Sequence, residues 1–161
     1  MTIRLCDIED IQSIQKIAHT TWPVSYADMI SKEQISYMLE LMYNHDKLKE
    51  QMRNGHSFYL LEEEGLIGFV GVEPNIEEGY AFVHKLYILP EYQGQGFGKV
   101  LMNHVQDLST KMGINEIRLN VNRTNEAVQF YKKNGFEILK TIDIDIGNGF
   151  FMNDYTMSLK F

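Results

Sequence analysis

At 161 residues, 44% hydrophobic and 23% charged, the chain has the size and composition of one folded domain, expected to span residues 1–161, and disorder is excluded. A net charge of −7 argues against nonspecific nucleic-acid binding, which needs clustered Lys and Arg, and leaves two readings: a soluble surface, or attraction for a cationic partner. The single Cys6 excludes an intrachain disulfide, and with no leader-like start and no apolar run near the ~18 residues of a membrane span the expectation is a cytoplasmic protein without membrane contact.

The first predicted element is an amphipathic helix to about Thr20, with Ile8, Ile11, Ile14, Ile17 and Ala18 at helical spacing behind Asp7 as N-cap. Trp22 to Tyr26 reads as an irregular, aromatic connection. Ser31-Lys32-Glu33-Gln34 matches a capping box and opens a second helix with Ile35, Met38, Leu39 and Met42 on one face. A third, Asp46 to Arg53, ends at Asn54-Gly55. The period then changes, and Ser57 to Glu62 and Leu66 to Val72 read as a hairpin around Glu63-Glu64-Gly65. A long strand ends at Leu89, where Pro90 stops the ladder. Next come a helix from Lys99 to Met112, closed by Gly113, and a short alternating strand, Glu116 to Val121, parallel to the preceding one because a helix joins them. A helix from Glu126 to Asn134 follows. The chain closes on two strands, Ile138 to Ile146 and one carrying Tyr155, Met157, Leu159 and Phe161 on one face, turned by Gly147-Asn148-Gly149. This order predicts an α/β fold with a mixed sheet and helices on both faces.

Between the long strand and its helix lies Gln93-Gly94-Gln95-Gly96-Phe97-Gly98. Glycines there let the backbone turn tightly and approach a ligand, and the free N–H groups opening the helix favour an anion such as a pyrophosphate. The Gly-Lys-Ser/Thr phosphate loop is excluded, because Val100 follows Lys99 and no glycine stands five residues before Gly98. The dinucleotide fingerprint Gly-x-Gly-x-x-Gly fits poorly, since Gly94, Gly96 and Gly98 are spaced by two. A plain strand-to-helix turn is the remaining reading.

The spacing Gln93-x-x-Gly96-x-Gly98 after Leu86-Tyr87-Ile88 resembles the acyl-CoA-binding motif of the GNAT superfamily of N-acetyltransferases. Asn125 to Phe136 resembles that family's next motif, with Asn125 opening a helix, Phe130-Tyr131 closing it and Gly135-Phe136 leading into a strand. The resemblance covers about Phe82 to Phe136. It implies a mostly antiparallel sheet whose one parallel strand pair splays to admit acetyl-CoA, and an enzyme that moves an acetyl group onto a primary amine without a metal. By resemblance, backbone N–H groups of Leu86, Tyr87 and Ile88 hold the acetyl carbonyl and pantetheine. The segment Gln93, Gly94, Gln95, Gly96, Phe97, Gly98 and Lys99 holds the pyrophosphate, Asn125 bonds the pantetheine arm, and Lys133 meets a phosphate at the rim.

The same resemblance places Tyr131 where the leaving thiolate is protonated, although from the amino acid alone a core aromatic is the simpler reading. Relatives carry a Glu two or four residues before the position of Leu86, where this chain has Phe82 and His84. His84, with a pKa suited to proton transfer and expected on the face of Leu86 by strict alternation, is the candidate base, a solvated or structural imidazole being equally open. Glu73 is held in reserve. Trp22, Tyr26 and Glu73 are expected at the acceptor pocket, and the closing segments most resemble small bacterial polyamine acetyltransferases. Transfer to a protein N-terminus and a noncatalytic acyl-CoA sensor are the alternatives, and an exposed last strand suggests a homodimer.

Overall fold

The computed structural model describes all residues, Met1–Phe161. Its elements are β1 (Thr2–Leu5), α1 (Ile11–Ser25), α2 (Lys32–Tyr43), α3 (His45–Arg53), β2 (Ser57–Glu62), β3 (Leu66–Asn75), β4 (Tyr80–Ile88), α4 (Phe97–Lys111), β5 (Glu116–Asn122), α5 (Ala127–Lys133), β6 (Glu137–Gly147) and β7 (Phe150–Lys160). Short 3-10 turns at Ile8–Asp10 and Pro90–Tyr92 precede α1 and the glycine segment. The strands form one seven-stranded sheet, ordered β1-β2-β3-β4-β5-β7-β6. Every neighbouring pair is antiparallel except β4–β5.

Two hydrophobic clusters lie on opposite faces, as binary patterning requires of a sheet covered on both sides. One packs Leu101, Met102 and Val105 of α4 and Val128 and Tyr131 of α5 on Val83, Ile88, Ile117 and Leu119. The other packs Ile11, Ile14, Ile17, Trp22, Ile35, Met38 and Leu48 of α1–α3 on Phe58, Leu60 and Phe69. No helix is long and apolar enough to cross a membrane.

Three details depart from the sequence expectation. The stretch Thr2–Leu5 is an edge strand pairing with β2, too short to display a period before the helix. Trp22 to Ser25 is helical, because α1 runs through Pro23 to Ser25. Proline there forfeits the bond to the His19 carbonyl, a cost of about 3 kcal/mol or more in a helix interior. That cost is reduced in the last turn, and seating Trp22, 3% exposed, outweighs it: its ring lies 4.7, 5.8 and 5.7 Å from those of Tyr26, Tyr43 and Tyr87. Finally, β7 lies inside the sheet between β5 and β6, so the last strand is not an edge; β6 is. The Ser31 cap forms, accepting from Gln34 N–H at 3.1 Å, but the Gln34 side chain donates to Phe151 O instead of returning to the cap.

Candidate active site

The parallel strands β4 and β5 pair only through Ala81↔Ile117, Phe82↔Arg118 and Val83↔Leu119. Both strands continue, β4 to Ile88 and β5 to Asn122, so the sheet forks there. On its β5 side, the backbone of Leu86, Tyr87 and Ile88 has no ladder partner, which leaves polar main-chain groups facing the gap. A bulge begins the divergence: Gly71 pairs with Lys85 but Val72 with Val83, so His84 is the extra residue.

That bulge breaks the alternation on which the placement of His84 with Leu86 relied. Leu86 packs on the α4–α5 cluster and Tyr87 on the α1–α3 cluster. Lys85, 7% exposed, turns with Tyr87, its ammonium 5.4 Å from the ring centres of both Tyr43 and Phe58 and 2.8 Å from Gln51 Oε1. Burial pushes its pKa down to about 8.

At the head of α4 the first ladder bond runs from Val100 N–H to Gly96 O at 3.2 Å, so the N–H groups of Phe97, Gly98 and Lys99 precede the ladder. Gly94 and Gly96 have φ of 77° and 88°, the left-handed region, and a Cβ on either would project into open space. A pyrophosphate fits that concavity, with N–H groups and the positive end of a 15-residue helix aimed into it. Gln93 and Gln95 tie the turn down through Ile88 O at 2.9 Å and Glu91 O at 3.1 Å. Gly96→Ala is therefore expected to cost about 1 kcal/mol in left-handed strain and to weaken coenzyme A binding, read by calorimetry, more than it lowers the melting temperature.

Tyr131 is brought to the same fork by α5. It is 9% exposed, and burial, then the nearby Tyr26 phenol, hold its pKa well above the usual tyrosine range. Asn125 accepts from Ala127 N–H at 2.8 Å, which fixes the start of α5. Lys99 and Lys133 are exposed on the outer side. On the opposite face Tyr26 and Tyr87 share a hydroxyl–hydroxyl bond of 2.9 Å, while Trp22 sits behind them as core instead of lining the gap.

Glu73 and His84 come together as the sequence order alone could not reveal. His84 Nε2 lies 3.0 Å from Glu73 Oε1, His56 Nε2 lies 3.5 Å from Glu73 Oε2, and the two imidazoles stack with centroids 4.6 Å apart. Burial lowers both histidine pKa values, and the Glu73 bond pulls that of His84 back up. Glu73 and His84 border a cleft of about 420 Å³ that also takes in Glu77, Tyr80 and Phe82. The sequence gives no sign of His56, because its partners Glu73 and His84 come from two other strands.

Residues 54–138, more than half of the chain, match the family described as acetyltransferase (GNAT) domain. The chain is a GNAT acetyltransferase. This acetyltransferase is 34% identical over 146 residues to the spermidine N(1)-acetyltransferase of Thermoplasma acidophilum, covering 86% of this chain and 89% of that one. It is 26% identical to the [ribosomal protein bS18]-alanine N-acetyltransferase of Haemophilus influenzae, covering 92% and 84%. Among solved structures, the PaiA N-acetyltransferase of T. acidophilum in complex with coenzyme A superposes over 100% of both chains with a TM-score of 0.82 at 29% identity. The ribosomal-protein-S18-alanine N-acetyltransferase of Escherichia coli, at 18% identity and a TM-score of 0.74 over 99% and 92% of the two chains, shares the fold. The enzyme's acyl donor is acetyl-CoA, as in its family.

Proposed function

We propose that this acetyltransferase acetylates a primary amine of a small polycation of the polyamine class, by direct attack of the amine on the thioester. The observation that carries the reading is the fork between β4 and β5, together with a cleft bordered by Glu73, Glu77 and His84 that begins where the β4–β5 pairing ends. An alkyl diammonium matches that acidic, aromatic-lined cleft, and a net charge of −7 steers cations toward the protein. The 34% identity to a spermidine acetyltransferase supports the same acceptor class.

In this reading the N–H groups of the Leu86-Tyr87-Ile88 segment that face the gap, those of Leu86 and Ile88, stabilise the charge that develops on the thioester oxygen, with Tyr87 between them paired to β3. The glycine turn from Gln93 to Lys99, with Asn125 and Lys133, holds the rest of the donor. Tyr131 gives its proton to the departing sulfur as the C–S bond breaks and the new C–N bond forms. Glu73 binds a cationic group of the acceptor, with Tyr26 walling the inner end. His84, hydrogen-bonded to Glu73, carries away the proton that the amine loses. Whether the enzyme pairs as a homodimer rests on β6, whose edge is free to meet another chain.

The test is thiol release from acetyl-CoA over spermidine, spermine, diamines, aminoglycosides, amino acids and peptides beginning with alanine. Turnover confined to polyamines is the expected result; turnover confined to the peptides would replace the acceptor by a protein N-terminus. Glu73→Gln is expected to raise KM for spermidine about tenfold, the loss of one charge-assisted contact of about 1.5 kcal/mol, with the KM for acetyl-CoA unchanged.

A further inference from the structure

The group that first takes the proton from the attacking ammonium should stand level with the segment that holds the thioester carbonyl. His84 sits at the bulge itself, short of that level, and its Nε2 is engaged by Glu73. Counting on from Val83↔Leu119 and allowing one residue for the bulge, Leu86 and Tyr87 fall level with Val121 and Asn122 across the fork. Asn122 pairs in turn with Asp154 of β7.

The facing of Asp154 follows from its neighbours. Ser158 Oγ donates to Glu116 Oε2 and Thr156 Oγ1 to Asn120 Oδ1, each at 2.7 Å, which puts Ser158, Thr156 and, by alternation, Asp154 on the face of α1–α3. Met152, next in that row, packs on the α1–α3 cluster. There α2 is clamped over the tip of the β6–β7 hairpin by Tyr37 Oη to Ile146 O at 2.6 Å and Gln34 Nε2 to Phe151 O at 2.9 Å. Asp154 is 4% exposed, yet no protein group donates a hydrogen bond to its carboxylate. Arg123, the nearby cation, is committed elsewhere, to Asp143 Oδ1 at 2.8 Å and to the carbonyls of Ile142 and Asp154. A buried carboxylate left without a donor costs stability unless a ligand supplies one, and an ammonium supplies both donor and charge.

Resting on the acetyltransferase reading above, we propose that Asp154 is the residue that binds the reacting ammonium and accepts its proton, with the His84–Glu73 pair carrying the proton on toward the cleft. The ammonium first gives one proton to the Asp154 carboxylate, leaving the free amine to attack; as the C–N bond forms and the C–S bond breaks, the sulfur leaves with the proton of Tyr131, and the second nitrogen proton restores the phenol. Tyr26 and Tyr87, joined by their hydroxyl bond, close the chamber between Asp154 and the thioester. The titratable and charged groups facing Asp154 are Tyr26 from α1, Tyr87 from β4, Arg123 at the end of β5 and, through Arg123, Asp143 of β6. Burial, opposed by Arg123, pushes the Asp154 pKa up to about 6, so the carboxylate is ionised and able to receive a proton near neutral pH. Because this folded-state pKa is raised, the associated stabilisation is present below the unfolded aspartate pKa and is lost as pH rises through about 6.

The deciding experiment is kcat against pH from 5 to 9 for wild type, Asp154→Asn and His84→Gln, at saturating acetyl-CoA and spermidine. Coenzyme A affinity by calorimetry and melting temperature at pH 7.5 are measured on the same samples. Wild type is expected to lose activity as pH falls through about 6. Asp154→Asn is expected to lose about 10²-fold in kcat together with that acid limb, to bind coenzyme A as before, and to melt higher than wild type. In His84→Gln the limb should stay in place. An Asp154→Asn enzyme within threefold of wild type with its limb intact overturns the assignment and leaves the acetyltransferase reading standing. So does a variant that melts lower or fails to fold, since that marks Asp154 as a stabilising structural group. Wild-type enzyme that turns over no amine in the wider panel overturns both readings.

Discussion

Tyr131→Phe is expected to lower kcat by about 10²-fold, the usual contribution of a placed general acid, while leaving the acetyl-CoA dissociation constant and the melting temperature close to wild type. The substitution removes one oxygen and no carbon. The Tyr131 ring lies 5.2 Å from Phe130 and 5.4 Å from Phe136, contacts that phenylalanine retains. Its hydroxyl makes no hydrogen bond to another protein group, so its loss breaks none. A core aromatic would therefore tolerate the change silently, whereas an acid would not. The phenol's pKa lies above the working range, so wild type should show no loss of this acid below pH 9. Steady-state kinetics from pH 6 to 9 with a parallel melting curve separates the two roles, and unchanged kcat would return Tyr131 to the core.

Gly68→Ala is expected to cost about 2–3 kcal/mol, in the range of a buried overpacking substitution, and to lower the melting temperature by about 5–10 °C for a chain of this size. Gly68 pairs with Ile88 across β3 and β4, and a Cβ there would stand 2.5 Å from Tyr87 O and 2.6 Å from Ile88 Cδ1. The first contact is backbone and belongs to the strand segment that borders the fork, so relief requires β4 to shift where the proposed function places the thioester. Activity should fall further than stability alone explains, with kcat/KM reduced at temperatures where the variant remains folded. On the same strand, a Cβ at Gly71 would meet the Phe58 ring at 2.9 Å. A ring can turn aside, so Gly71→Ala should destabilise less and spare catalysis. Circular-dichroism melts with kinetics on both variants check the comparison, and equal effects would contradict it.

Periodicity and punctuation in the sequence were enough to place the helices and strands from Ser31 onward, because each buries a regular stripe or face and ends at a Gly, Asn or Pro whose backbone preference is local. The glycine turn was legible for the same reason: Gly94 and Gly96 adopt left-handed φ values that few other residues tolerate. The mixed sheet, the parallel pair and the family followed from element order and two motifs. The short strand Thr2–Leu5 and the helical passage of Pro23 were not legible, since a neighbouring strand stabilises one and the aromatic nest around Trp22 the other.

For the acceptor pocket the sequence offered Glu73, His84 and Tyr26 as candidates but not their arrangement. His56, Glu73 and His84 meet only because β2, β3 and β4 align their ends, and a single extra residue at His84 reverses which side chains share a face after it. Asp154 reads, in the sequence, as one polar residue in an alternating strand; its burial without a partner depends on β7 entering the sheet between β5 and β6 and on α2 closing over the hairpin tip. Local backbone preference and hydrophobic period are written residue by residue, so the sequence by itself determined the elements, the glycine turn and the family. Strand order, bulge register and the desolvation of one carboxylate arise from contacts between distant segments, and only the tertiary structure decided them.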